Sequence, residues 1–397
     1  MAKVKNSSGW KRTRKLFNDI HLWMGIGSGL ILFLVCLSGT IYTFREEVEM
    51  LIEPEKYSID VPEDAEPMTA EAIIEQLQQQ PGGIIASISI PHAEDEPYAV
   101  SIKKSEEERR GTTYFVNPYT ATVLGTSDSP AAGFFMFMFR LHRWLLLDSA
   151  IGRPIVGVAT LIFVFLILSG LVIWVPQKVK SWKQGLKIKW NANWKRINHD
   201  LHNSLGLYSS ILLLIMALTG LCWSFEWYRD GLGEVLGTQV FGRRGGGGEP
   251  LSSTLPVQNA TPLTVAELMH ISNETLPYKG DHQISLPKDS VGTVSISKHK
   301  TGFFAPSATD RLQLDQYSGE VLASEIFAEK PFNERIAASI KPLHMGYVYG
   351  TFSKIIYFVA CLVATSLPIT GVIIWINKLK KKAKKKQSRR KAVTTSA

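Results

Sequence analysis

Nine histidines occur in this 397-residue chain, and five of them stand at the margins of long apolar runs. His21 opens the run Leu22 to Phe44, while His199 and His202 precede Leu205 to Phe225. His142, in Arg140-Leu-His-Arg-Trp-Leu, comes before Ile155 to Val175, and His344, in Lys341-Pro-Leu-His-Met-Gly, comes before Ile355 to Ile376. One such imidazole could simply meet lipid headgroups or cap a helix. Four in two matched pairs can do more, because two imidazoles from different helices at one level supply both axial positions of a haem iron. Gly25, Gly29 and Gly206 thin the helix surfaces beside the inner pair, as a slot for a macrocycle requires. Zinc would call for four ligands, and no cysteine or carboxylate accompanies these pairs at ligand spacing.

The expectation is therefore two b-type haems, since no Cys-x-x-Cys-His attachment motif is present. His21 and His202 would ligate one, and His142 and His344 the other. His199, one turn from His202, is the alternative inner ligand. Arg140, Arg143 and Arg153 are candidates to neutralise haem propionates, because a guanidinium grips a carboxylate as a fork; lipid phosphate is the competing partner. His92, His270, His282 and His299 have no repeated counterparts and read as ordinary residues of the segments between the runs.

The elements that must position these side chains follow from hydropathy. The four apolar runs hold 21 to 23 residues and no charge. As helices they reach about 32 to 35 Å, enough for a hydrocarbon layer of roughly 30 Å. Residues 1–20, 177–198 and 377–397 hold 23 of the 44 Lys and Arg residues against one acid, Asp19. Basic flanks stay preferentially cytoplasmic, so both termini and the central loop are expected inside and the two long intervening segments outside. The net charge of +9 comes from these flanks, which suit anionic lipid rather than nucleic acid. Leu22 to Phe44 is followed by Arg45-Glu46-Glu47 with no small-residue cleavage pattern, so it reads as a retained span. Cys36, Cys222 and Cys361 all fall in the runs and read as packing residues.

The chain is built twice. Asn18 to Phe44 overlays Asn198 to Phe225, placing His21 on His202, Gly39 on Gly220 and Phe44 on Phe225. Pro67-Met-Thr-Ala-Glu-Ala-Ile corresponds to Pro262-Leu-Thr-Val-Ala-Glu-Leu, with Thr264 and Glu267 spaced as a capping box. Strands are expected over Ile84 to Ile90, Tyr98 to Lys103, Thr112 to Val116 and Thr122 to Leu124. Tyr114 to Leu124 matches Leu312 to Leu322 and aligns Tyr119 with Tyr317, and Ser169-Gly-Leu-Val-Ile-Trp174 matches Thr370-Gly-Val-Ile-Ile-Trp375. Both copies start on the same side, so they are parallel repeats about an axis along the membrane normal. Gly242-Arg-Arg-Gly-Gly-Gly-Gly248 lacks the Lys-Ser/Thr and strand-to-helix setting of a phosphate loop and reads as a flexible insertion.

The expected fold is an α-helical integral membrane protein with four transmembrane helices plus two small periplasmic α+β modules, in an internal tandem repeat. The expected segments are a basic N-terminus 1–21, span 22–44, module 45–130, an outer interfacial helix 131–154 broken from the next span at Gly152-Arg153-Pro154, and span 155–175. A basic loop 176–204, span 205–225, module 226–341, an outer segment 342–354, span 355–376 and a basic tail 377–397 complete the chain.

The span-flanking histidine motifs, the TxEAI-type helix and the YFVNPYTATVLG and LQLDQYSGEVLA strand turns resemble the PepSY-associated transmembrane family over roughly residues 15 to 378. That family includes bacterial inner-membrane ferric-siderophore reductases. The resemblance implies four spans, two periplasmic PepSY modules and two b-type haems held at the positions matching His21, His142, His202 and His344. The function it implies is transfer of electrons from a quinol or cytoplasmic reductase, across the inner membrane, to a ferric siderophore or other ferric chelate. The competing expectation is a non-redox PepSY membrane protein that regulates a peptidase or senses an envelope ligand, which leaves the paired histidines without a role. A transporter is disfavoured, because no span carries an internal acid or base.

Overall fold

The computed structural model describes residues 8–78, 83–108, 111–176, 182–241, 251–254 and 261–395. Pro81, Gly82 and the glycine-rich insertion 242–248 lie outside the described residues. In chain order, α1 (Ser8–Tyr42) leads through α2 (Arg45–Ile52) to α3 (Ala70–Gln78) and the strands β1 (Ile84–Ile90), β2 (Tyr98–Lys103), β3 (Thr112–Val116) and β4 (Val123–Thr126). The helices α4 (Ala132–Trp144), α5 (Ser149–Trp174), α6 (Trp182–Gly185) and α7 (Trp194–Ser224) follow. The second half continues with α8 (Glu226–Leu236), α9 (Val265–Thr275), β5 (Asp281–Ser285), β6 (Thr293–His299), β7 (Thr309–Asp315), β8 (Val321–Glu325), α10 (Phe332–Met345) and α11 (Gly350–Thr395).

Four of these helices, α1, α5, α7 and α11, are long and apolar enough to cross a membrane. Both α1 and α7 pack against α5 and α11, but not comparably against each other, so α1 and α7 occupy opposite corners of a four-helix bundle. The helices overrun the expected spans. α1 starts at Ser8, α7 at Trp194 and α11 runs to Thr395, because the Lys- and Arg-rich flanks are themselves good helix formers. His21, His199 and His202 thus sit within continuous helix rather than at its mouth. Asn193 caps α7 by accepting from the Arg196 amide at 3.1 Å.

The outer interfacial helix expected over 131–154 is shorter than that, and it breaks elsewhere. α4 ends at Trp144, Leu145 and Leu146 adopt left-handed backbone (φ 53° and 62°), and the Asp148 side chain caps α5 through the Ala150 amide at 2.8 Å. Gly152-Arg153-Pro154 is helical. Gly152 lies against the turn so closely that a Cβ would sit 2.1 Å from the Trp144 carbonyl oxygen, and Pro154 lies inside the helix, where it gives up one main-chain hydrogen bond without ending the helix. In the second half the expected boundary at 341 falls inside α10, which turns into α11 through Gly346 (φ 85°).

Strands β1, β2 and β3 occupy the expected residues, while β4 is shifted to Val123–Thr126. The predicted capping box of α9 is present, with Thr264 and Glu267 each bonding the other's backbone amide. Asn117 and Asp315 each accept from the amide two residues on, at 2.8 Å, so the aligned Tyr119 and Tyr317 occupy the same turn.

The two modules are not separate. Their strands form one eight-stranded antiparallel sheet in the order β4-β3-β2-β1-β5-β6-β7-β8. At the seam Ile88 pairs with Ile284, Ser87 with Ser285 and Ser89 with Gln283. Overlaying the Ser-x-Pro ends of β1 and β5 makes Ile88 and Ile284 equivalents, so a local two-fold passes through that pair. Both isoleucines are fully buried, as are Ile73 of α3 and Leu268 of α9, which cover the same core. Glu71 of α3 also accepts a hydrogen bond from the Val265 amide at the N-terminus of α9, joining the halves a second time.

Candidate functional site

The bundle brings together the four repeated histidines in two pairs, each held through Nδ1. His142 on α4 places Nδ1 2.8 Å from the Val35 carbonyl of α1, and His344 on α10 places its own 2.9 Å from the Met216 carbonyl of α7. A carbonyl only accepts, so in both rings Nδ1 carries the proton. His21 on α1 contacts Ser169 Oγ of α5 at 2.8 Å, and His202 on α7 contacts Thr370 Oγ1 of α11 at 2.8 Å. Those hydroxyls donate to carbonyls of their own helices and so accept from the imidazoles. All four Nε2 atoms are left as lone-pair nitrogens, and none has a hydrogen-bond partner among the described residues.

The pairs lie at two levels. Val35 is 14 residues beyond His21 on α1, and Met216 is 14 residues beyond His202 on α7, a rise of about 21 Å in each case. Between them lies an apolar core of Ile167, Leu213, Ala360 and Ala364, with Cys36, Phe163 and Leu367 packed against it. At the outer level the His142 and His344 ring centroids are 6.3 Å apart. Two imidazoles on one metal, each about 2.0 Å from it through nitrogen, have centroids roughly 6 Å apart, so the pair has the spacing of an axial set. His21 and His202 come from the opposite corners of the bundle occupied by α1 and α7.

The rings are seated against glycine. A Cβ at Gly39 would lie 2.9 Å from His142, and one at Gly220 would lie 2.8 Å from His344, so a side chain at either position would displace the imidazole. The outer level is asymmetric in its aromatic neighbours. The Trp223 ring of α7 lies 5.1 Å from that of His344, tilted by 45°, whereas its repeat counterpart Tyr42 turns to Phe135 and Phe139. Burial first, and the other's positive charge second, hold the His344 imidazole down to about 4, and burial likewise lowers His142; both are therefore neutral at physiological pH.

His199 is 56% exposed and lies beside Asp200, away from the Thr370 contact that His202 makes. Arg143 stacks over Phe139 and Trp144 at 5.4 Å each, and burial followed by the neighbouring Arg153 disfavours its charge. Arg153 Nε is buried without a partner among the described residues, which leaves a donor aimed at no protein acceptor. Arg140 is exposed. Arg335 of α10, which its sequence did not single out, also has a buried, unpaired Nε. Gly39, Gly220, Ser169 and Thr370 escaped the sequence reading as site residues, although the aligned Ser169-Gly170 and Thr370-Gly371 pairs carried the signal. Of the other histidines, His282 is buried in the sheet, and His92, His270 and His299 lie outside the bundle.

Among the described residues no group of three or more His, Cys, Asp or Glu is placed to hold a bare metal ion. The histidines come in twos, the number needed by a macrocyclic metal group that brings its own equatorial nitrogens. Lone-pair nitrogens, glycine seats and unpaired guanidinium donors together fit haem.

Four spans and a strand-rich region inserted after the first and third define a multi-pass membrane protein with an internal repeat. The chain belongs to the PepSY-associated TM region family, whose model matches residues 19–378. No curated protein matches it.

Proposed function

We propose that this protein is a two-haem membrane oxidoreductase that carries electrons across the bilayer and reduces a ferric chelate of the siderophore class at the end bearing the sheet. The observation that supports it is the doubled set of histidines, each with Nδ1 hydrogen-bonded to a neighbouring helix and Nε2 without a partner among the described residues, at two levels on either side of an apolar core. His21 and His202 would hold the inner haem and His142 and His344 the outer one; each supplies a one-electron carrier when bound.

The chain's own part is to orient and insulate. The Nδ1 acceptors fix each imidazole in the ligating tautomer. The core of Ile167, Leu213, Ala360 and Ala364 keeps charge out of the interval between the levels. Arg143 and Arg153 offer half-buried guanidinium groups, whose mutual repulsion a carboxylate would relieve and whose fork it fits best. The basic flanks favour the cytoplasm, which supports a periplasmic side for the two PepSY-like halves of the sheet in a protein of the bacterial inner membrane. Electrons enter at the basic end, from a quinol or a cytoplasmic reductase. Ferrous iron is held more weakly than ferric by oxygen-donor chelators, so reduction releases it.

The test is the visible spectrum of the purified protein. Dithionite-reduced minus oxidised spectra with cytochrome b bands, and two haems per chain, are expected. A protein purified without haem, and unable to take it up, overturns the proposal.

A further inference from the structure

We propose that Ser169 and Thr370 are positioning residues that set the donor strength of the inner histidine pair from a neighbouring span. The shortest contact of each outer imidazole is to a main-chain carbonyl, which no side-chain substitution can remove, with the Thr219 hydroxyl a longer second neighbour of His344 at 3.3 Å. The inner ones donate to hydroxyls. Ser169 Oγ lies 2.8 Å from His21 Nδ1 and gives its own proton to the Leu166 carbonyl at 3.1 Å. Thr370 Oγ1 lies 2.8 Å from His202 Nδ1 and gives its proton to Ser366 and Leu367, each at 3.1 Å.

Each hydroxyl is therefore a relay in which backbone orients hydroxyl and hydroxyl orients imidazole. Ser169 is fully buried, so its removal takes away the 2.8 Å acceptor of Nδ1–H and leaves it only the Leu166 carbonyl, the acceptor that the hydroxyl itself now occupies. The ring would then lose its shortest hydrogen bond and with it part of the polarisation that makes Nε2 a stronger donor. The two halves of the repeat supply an internal control, since one uses serine and the other threonine at equivalent places. The shared requirement is the hydroxyl, not the size of the side chain.

The consequence for the cofactor rests on the two-haem proposal, whereas the tautomer does not. In Ser169→Ala and Thr370→Val, weaker donation to the iron destabilises its ferric state. The midpoint potential of the inner haem should rise, and its retention should fall by about 10- to 100-fold. The outer haem, untouched, serves as the control for folding. Ser169→Thr and Thr370→Ser, each the residue of the other repeat, should keep wild-type values. In parallel, ¹⁵N NMR of histidine-labelled, cofactor-free protein in detergent should show His21 and His202 protonated at Nδ1, and this preference should weaken in the two hydroxyl-free variants, where only the Leu166 and Leu367 carbonyls remain as acceptors. Wild-type imidazoles protonated at Nε2, or unchanged potential and retention in both hydroxyl-free variants with an intact outer signal, would overturn the assignment. A wild-type protein that binds no haem yet shows the Nδ1–H tautomer would instead sink the two-haem proposal and leave the relay standing.

Discussion

Gly39 and His142 are in contact across two helices, and the contact exists only because position 39 has no side chain: a Cβ there would meet ring carbon and Nδ1 at 2.9 Å. Gly220 and His344 repeat the relationship at 2.8 Å. Gly39→Ala and Gly220→Ala should therefore push the outer imidazoles off their carbonyl acceptors, at a cost of about 1–3 kcal/mol in stability. Thermal unfolding measures the cost, and loss of only the outer haem signal in difference spectra locates it. Unchanged spectra in both variants would mean that the glycines do not seat the ligands.

Single-ligand variants separate the levels. On the two-haem proposal, His202→Ala should abolish the inner haem and His344→Ala the outer, because each would remove one of the two imidazoles proposed to hold it. His199→Ala should spare both, since its half-exposed ring faces Asp200 rather than the bundle. The spectra of the three variants, compared with wild type, check this. Loss of one and the same signal in the first two variants would show that His202 and His344 share an iron.

Acid should loosen the sheet through His282. Its side chain is buried, and burial, followed by the charges of Lys298, His299 and His92, brings its folded pKa down to about 4 from an ordinary 6.5. The unfolded chain binds this proton first, so the stabilising contribution is full above pH 6.5 and is lost progressively as pH falls from 6.5 towards 4. Urea unfolding followed between those limits should show the decline, and His282→Gln should flatten it. A profile equally steep in that variant would assign the sensitivity elsewhere.

Orientation follows from charge alone. A reporter fused after Lys378 should be active only in its cytoplasmic form, and one inserted at Ser127 only in its periplasmic form, given the basic bias of the flanks. Opposite activities at the two sites would invert the electron path proposed above.

How much of this is legible in the sequence depends on range. Local signals sufficed for β1 to β3, whose branched and aromatic residues are bounded by turns, and for the Thr264–Glu267 capping box, which spans three residues. The spans were legible because hydrocarbon thickness sets their length. Their ends were not, since Lys and Arg continue a helix into water as readily as they end a hydrophobic run. The break before α5 was misplaced at Pro154 because left-handed leucines at 145 and 146 leave no sequence mark as plain as proline. The Nδ1 acceptors of the outer histidines lie 107 and 128 residues away, and a backbone carbonyl has no side-chain signature at all. Only the repeat pointed towards them.

The seam at Ile88 and Ile284 bears on ancestry. Because equivalent residues meet there, each half carries at its own edge a register complementary to itself. A chain of half this length would expose β1 as an open edge, and a second copy of the same chain would close it with the same pairing in an isologous dimer. The same dyad would bring together two spans bearing His21-type imidazoles and two outer helices bearing His142-type imidazoles. Fusing two such genes end to end would require no new interface, only the basic linker that now joins α5 to α7.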